Sequence, residues 1–297
     1  MKTLTIVTPT YNREDTLKRA YYSLLAQTNK DFLWLIIDDG SKDNTEKLID
    51  LFKAEGILEI EYIKKENGGK ASALNLGLDL IETPYCTCLD SDDWFPEKTV
   101  ETAIKLLDEE RNNSKCCGVL GLKATEDQKV AGGKEIPKTY KYIDIEEIYF
   151  DCKIQSEFAT FYKSEIAKQY RFPVIKGEKF MPPSWFHYAV SEKYKFRVSR
   201  DILCLFEYMN DGLTKNKRNV IVKNPVSYTL IKKISFSKSK TLKQKFKNGI
   251  MYVCGCIISN DHDWLKNAPF KLISILSFPI AYIVYLKRFK KLEGKIY

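Results

Sequence analysis

The chain has 297 residues, a net charge of +9, 44% hydrophobic and 29% charged side chains, the balance of an ordinary globular protein with a sizeable core. With only two histidines, His187 and His262, it argues against a zinc centre built on histidine pairs and leaves little room for a Ser-His-Asp triad. The eight cysteines form no CxxC and the N-terminal residues do not read as a signal peptide, so reduced thiols in a cytoplasmic protein are expected rather than a disulfide frame. The charge is unevenly spread. Residues 212–297 carry 18 Lys plus Arg against three acids, Asp261, Asp263 and Glu293, and the preceding 211 residues carry 30 basic against 36 acidic. An acidic body therefore precedes a basic tail.

In chain order, Leu4 to Val7 is a β-branched run followed by the polar loop Thr8 to Arg13, and Leu17, Ala20, Tyr21, Leu24 and Leu25 fall at helical spacing within a helix predicted from Glu14 to Gln27. Phe32 to Ile37 is a continuous apolar run of the kind found in strands buried on both faces. It stops at Asp38-Asp39-Gly40-Ser41, and Ser41 or Asp43 can cap a helix reaching about Lys53. A third strand is expected over Ile57 to Ile63, a helix over Gly69 to Leu80, a strand over Tyr85 to Leu89, a helix from Pro96 to about Arg111 and a strand from Cys116 to Leu122. Beyond these, Asp144 to Phe150 reads as a short helix, Glu157 to Tyr162 as a strand, Ser164 as a helix start and Ser184 to Ser191 as a helix. Phe196 to Val198 and Ile202 to Tyr208 read as two closing strands, and Gly132-Gly133 as a mobile loop. Strands alternating with helices imply parallel crossovers and an α/β fold with a sheet covered on both faces.

Such sheets bind ligands beyond the carboxyl ends of their strands. Four polar loops fall there: Thr8 to Arg13, Asp38 to Ser41, Glu66 to Lys70 and Asp90 to Asp93. Pro9 and Tyr11 can offer a rigid edge and an aromatic face to a base, and Asp39 can accept hydrogen bonds from a base or ribose. Gly68-Gly69 lets backbone amides approach phosphate at a helix N-terminus, where Lys70 adds a point charge. Asp90-Ser91-Asp92-Asp93 has two readings. It is a solvated turn capping the helix near Pro96, or it is a cation site, because clustered carboxylates repel and a hard divalent ion with oxygen ligands relieves them.

The runs Thr8-Pro9-Thr10-Tyr11-Asn12-Arg13-Glu14, Ile37-Asp38-Asp39-Gly40-Ser41, Asn67-Gly68-Gly69-Lys70 through Asn75 and Gly77, and Leu89-Asp90-Ser91-Asp92-Asp93-Trp94 resemble, in order and spacing, the family 2 glycosyltransferases. The resemblance is most specific over residues 3 to about 125 and weaker to about 214. It implies a GT-A fold with a donor half over 1–125, an acceptor half over 126–211 and a helical basic appendage over 212–297. It also implies a nucleotide-diphospho-sugar donor such as a UDP-sugar, Mn²⁺ or Mg²⁺, and inversion at the anomeric carbon. By the same resemblance Pro9, Tyr11, Asp39, Lys70, Asn75 and Asp90 would bind the donor, and Asp90 and Asp92 the metal. The family's base lies in an acidic pair that opens a helix. Here Glu178 holds the first position of that pair and Lys179 replaces the second, so Glu178 is the candidate base, with Glu192 or Asp93 as alternatives and a plain ion pair with a nearby lysine as its structural role. His187, beside Trp185 and Phe186, reads as packing. A nucleotidyltransferase, or a non-catalytic nucleotide-sugar-binding partner subunit, are the other readings.

In the tail, Leu272 to Leu286 is apolar over about 15 residues with Pro279 inside, short of the roughly 20 that span a bilayer, and Lys287-Arg288-Phe289-Lys290-Lys291 follows directly. That pattern suits a helix lying on an anionic membrane, attaching the protein peripherally to the inner face of the plasma membrane where it meets a glycan or lipid-linked acceptor. The alternative is a helix packed on the body. Nucleic acid is not expected as a partner, because the acidic body repels phosphate and no binding module is visible.

Overall fold

The computed structural model describes residues 2–207 and 216–293. Tyr208, the expected end of the last strand, and the expected boundary at 211/212 lie outside them. Strand β1 (Leu4–Thr10), helix α1 (Leu17–Leu25), β2 (Phe32–Asp38), α2 (Thr45–Ala54), β3 (Ile60–Lys64), α3 (Lys70–Leu80), β4 (Tyr85–Cys88), α4 (Thr99–Glu109) and β5 (Cys116–Ala124) alternate as the sequence implies. They are followed by β6 (Tyr142–Ile143), β7 (Phe158–Lys163), α5 (Ser164–Ala167), α6 (Ser184–Ser191) and β8 (Lys195–Leu205). All eight strands join one sheet in the order β3-β2-β1-β4-β7-β5-β8-β6. Strands β1 to β4 pair in parallel. Antiparallel β7 then inserts between β4 and β5, while β5 and β8 are parallel and β6 closes the edge antiparallel to β8.

The core explains the apolar runs. Every residue of β1 and of β5 is buried, as expected where helices cover both faces of a sheet. Tyr21 of α1 stacks on Phe52 of α2 with ring centroids 3.8 Å apart and planes 5° apart. Trp34 joins that stack and satisfies its indole N–H on Thr8 Oγ1 at 2.8 Å, so its one polar atom carries no burial penalty.

Several expected elements differ in their bounds, α1 and β8 among them. α1 begins at Leu17 instead of Glu14, and the residues before it are tied to the chain ahead of α2: Arg13 N–H donates to Thr45 Oγ1 at 3.1 Å and Glu14 N–H to Asp43 Oδ2 at 3.3 Å. The two strands expected at 196 and 202 are the single strand β8, whose register against β5 slips between Leu120 and Leu122. The polar Ser199-Arg200-Asp201 that broke the sequence pattern forms this bulge, with Ser199 Oγ donating to Asp201 Oδ2 at 2.9 Å. Gly132 and Gly133 sit in a tight turn at φ 70° and 65°.

The chain forms two compact units, 1–172 with 189–207 and 173–188 with 208–297. Residues 173–188, assigned from sequence to the acceptor half, thus belong with the C-terminal helices. The reason is local: Asn224 Oδ1 accepts from Lys179 N–H at 2.9 Å and Phe180 N–H at 3.0 Å. This second unit contains α7 (Lys217–Lys223), α8 (Pro225–Ser237), α9 (Leu242–Ile258), α10 (Lys271–Arg288) and α11 (Lys290–Glu293). α9 starts with a full capping box, Thr241 and Gln244 satisfying each other's amides. Phe236, Tyr252, Val253, Cys254, Ala281 and Phe289 form its core. Gly255 lets α8 approach closely, since a Cβ there would lie 2.7 Å from Thr229 Oγ1. α10 extends beyond the apolar run read from sequence, with Pro279 inside it; by composition the 22-residue stretch Lys271–Leu292, which runs on into α11, is long and apolar enough to cross a membrane, and 22% of its apolar 18-residue window is buried. None of the eight cysteines forms a disulfide.

Candidate active site

The four polar loops do meet at the carboxyl edge of the parallel strands, and hydrogen bonds lace them together. After β1, Asn12 takes a left-handed φ of 51°; its N–H donates to Ser41 Oγ at 2.9 Å, and its Oδ1 accepts from Lys42 N–H at 2.9 Å. At the end of β2 the buried Asp38 accepts from Ser41 N–H at 2.7 Å and from the Tyr62 hydroxyl at 2.7 Å. The loop after β3 is organised by Asp39, which accepts from Lys65 Nζ at 2.8 Å, Gly68 N–H at 2.9 Å and Gly69 N–H at 2.7 Å. Gly69, at φ 89°, occupies the cap position of α3, a conformation that glycine adopts without strain.

The loop after β4 carries the acidic cluster. Carboxylate oxygens of Asp90, Asp92 and Asp93 lie within 4.8 Å of one another. Asp90 takes both oxygens to Lys70 Nζ, at 2.6 and 2.7 Å. Asp93 pairs with Lys123 at 2.6 Å, and Lys123 also reaches Glu157 at 3.2 Å. Asp92 differs: no hydrogen bond or ion pair engages its carboxylate among the described residues. Its carbonyl, in contrast, is held by Arg19 at 2.6 Å, and Arg19 lies over the Trp94 ring at 3.9 Å while pairing with Glu207 at 2.8 Å. Trp94 is in turn bonded to Leu205 through both backbone groups. The loop is therefore pinned from two sides while one carboxylate stays open.

Electrostatics follow from this pairing. Burial pushes Asp90 up, but Lys70 and Lys123 outweigh it and hold its carboxyl at about 2. Burial works against the Lys70 ammonium, and Asp90 more than compensates, so it stays protonated. Burial raises Asp93, with Asp90 and Asp92 adding to the rise against the pull of Lys123.

The expected site residues fare differently. Lys70, Asp90 and Asp92 come together. Pro9 is buried in β1 opposite Ile37, and Tyr11 is exposed just beyond it. Asp39 lies at the rim, yet the Gly68 and Gly69 amides offered to phosphate by the sequence reading are given to its carboxylate instead. Asn75 turns away from the cluster: its Nδ2 donates to Phe172 O at 2.9 Å and its Oδ1 accepts from Phe172 N–H at 2.8 Å, so both ends of the amide tie α3 to the chain 97 residues on. Glu178 lies in the other unit, accepting from Val226 N–H at 2.7 Å and Ser227 N–H at 2.8 Å. These are orphan amides of the first turn of α8, so Glu178 caps a helix; the lysine pairing considered from sequence is not its contact. Sequence reading missed Lys123 and Arg19. A lysine inside the otherwise apolar Cys116–Ala124 was a usable signal for the first; nothing local marked the second.

Residues 5–171 match the glycosyl transferase family 2 model. The chain belongs to this family. Its sheet and flanking helices have the GT-A fold. Over 182 residues it is 29% identical to the glycosyltransferase GlyA of Streptococcus pneumoniae, covering 58% of this chain and 26% of that protein. It is 26% identical over 258 residues to the poly(ribitol-phosphate) β-N-acetylglucosaminyltransferase TarP of Staphylococcus aureus, covering 85% of this chain and 69% of TarP. The fold is similar to that of S. aureus TarS residues 1–349 in complex with UDP-GlcNAc, with a TM-score of 0.58, 16% identity, and coverage of 97% of this chain and 92% of that one. The chain thus spans about a quarter of the length of GlyA.

Proposed function

We propose that the protein is an inverting, metal-assisted glycosyltransferase that moves a sugar from a nucleotide-diphospho-sugar, such as a UDP-sugar, to a hydroxyl of a cell-envelope glycan or lipid-linked acceptor. One observation carries the reading: three carboxylates converge at the carboxyl edge of a family 2 sheet, and that of Asp92 is engaged by no hydrogen bond or ion pair among the described residues. The names of TarP and of the TarS complex support the choice of donor and acceptor class. The donor set is oxygen only and anionic, which fits Mn²⁺ or Mg²⁺. Asp92 and Asp90 would hold the ion, which when bound supplies charge neutralisation for the departing nucleotide diphosphate. Lys70 adds a point charge beside the phosphates, Tyr11 offers its exposed ring to the base, and Pro9 and Asp39 shape the rim beneath it.

Inverting transfer needs a carboxylate that takes the acceptor proton. Glu178 is the candidate, being the sole acid of segment 173–188, and its capping of α8 sets a double readout for its substitution. We further propose peripheral membrane attachment through α10. Leu272, Ile275, Leu276, Ile280 and Ile283 are exposed on it, and Lys287, Arg288, Lys290 and Lys291 follow, a combination that suits an anionic leaflet. The central test is a panel of UDP, GDP and CDP sugars assayed for binding and hydrolysis with Mn²⁺. Metal-dependent binding of one of them, lost in Asp92→Asn with the melting temperature unchanged, is the expected result; absence of metal-dependent binding to any would overturn the reading.

A further inference from the structure

The acidic trio carries its own cations. Lys70 is bidentate on Asp90 at 2.6 and 2.7 Å, and Lys123 is 2.6 Å from Asp93. The two lysines differ in freedom. Lys123 is buried within β5 and held by Asp93 and Glu157 together. Lys70 is the first residue of α3, its side chain is 27% exposed, and Asp90 is its one hydrogen-bond partner among the described residues.

We propose that Lys70 is a built-in counter-ion of the metal site: it neutralises Asp90 until a divalent cation and a nucleotide diphosphate arrive together, then exchanges the carboxylate for phosphate. This rests on the reading of Asp90 and Asp92 as metal ligands. A cation approaching alone must displace the ammonium and leave it unpaired beside a double positive charge, which is unfavourable in a half-buried site. When a diphosphate is present, the displaced ammonium gains an anionic partner on a flexible stem that can reach it. Metal and nucleotide are therefore positively coupled, each tightening the other by the same factor. Lys70 acts here as a positioning residue: it keeps the free protein a poor metal binder and reserves the site for the metal–nucleotide pair.

The test measures Mn²⁺ binding to the full chain by the loss of the free-ion electron paramagnetic resonance signal, with and without UDP, in the wild type, Lys70→Met and Lys70→Gln. Expected is Mn²⁺ binding without nucleotide about tenfold tighter in both variants, about 1.4 kcal/mol, and a smaller tightening by UDP than in the wild type. Asp92→Asn should lose Mn²⁺ in every condition. Equal Mn²⁺ affinity of wild type and both variants without nucleotide, with binding in the presence of UDP intact, overturns the counter-ion role and leaves the metal site standing. No Mn²⁺ bound by any of the proteins even with UDP overturns the metal reading and this inference with it.

Discussion

Asp39 allows a test that separates holding a loop from holding a ligand. Its carboxylate is buried and accepts three hydrogen bonds, from Lys65 Nζ, Gly68 N–H and Gly69 N–H. In Asp39→Ala the ammonium is not orphaned, because Lys65 also donates to Ser72 Oγ at 2.9 Å. The two amides are, and an unmade buried hydrogen bond costs about 1–3 kcal/mol. The expected loss is about 4 kcal/mol, a large part of the roughly 5–15 kcal/mol that stabilises a domain. Asp39→Asn keeps one acceptor oxygen but turns an NH₂ toward a donor, so about 2 kcal/mol is expected. Urea denaturation followed by circular dichroism reads both values, and equilibrium binding of UDP is measured on the folded protein. The reasoning fails if Asp39→Ala costs less than about 1 kcal/mol while UDP binding collapses, since the carboxylate would then serve the nucleotide and not the loop.

Glu178→Gln should lower the melting temperature through loss of about 1 kcal/mol of capping, and if Glu178 is also the base, turnover falls by orders of magnitude with donor binding unchanged; a fall in stability alone would assign it to the cap. Lys123→Met leaves Asp93 buried without its ammonium and should cost about 3–5 kcal/mol in chemical denaturation, and adding Asp93→Asn should recover most of it. If the single variant is as stable as the wild type, the ion pair does not form. For the membrane surface, Leu276→Glu with Ile280→Glu should abolish co-sedimentation with vesicles rich in anionic lipid while the protein stays folded, and high salt should weaken the wild-type interaction. Binding insensitive to both would rule out α10 as the contact.

The positions of the donor-side elements are legible in the sequence to within a few residues. Strand and helix periodicity, the turn residues Gly68-Gly69, and the acid run after β4 are local patterns, and their physics acts over three or four neighbours. The bulge of β8 escaped because Ser199 and Asp201 satisfy each other within the strand, which reads in one dimension as a break. Asn75 escaped for the opposite reason. Its amide is paired with a backbone 97 residues away, and nothing near it in the chain distinguishes such an amide from one that meets a ligand.

The sequence by itself determined that a mostly parallel sheet would bring four polar loops to one edge, with Asp90, Asp92 and Lys70 among them, because chain order and right-handed crossovers leave little choice. Only the tertiary structure decided how those charges are matched. It gave Asp90 to Lys70 and Asp93 to Lys123, left Asp92 open, turned Asp39 onto two glycine amides, and set Glu178 at the head of α8. A charge pair of this kind depends on distances of a few ångströms between segments far apart in the chain, and the strength of a Coulomb interaction is set by that separation and by burial, neither of which residue spacing records.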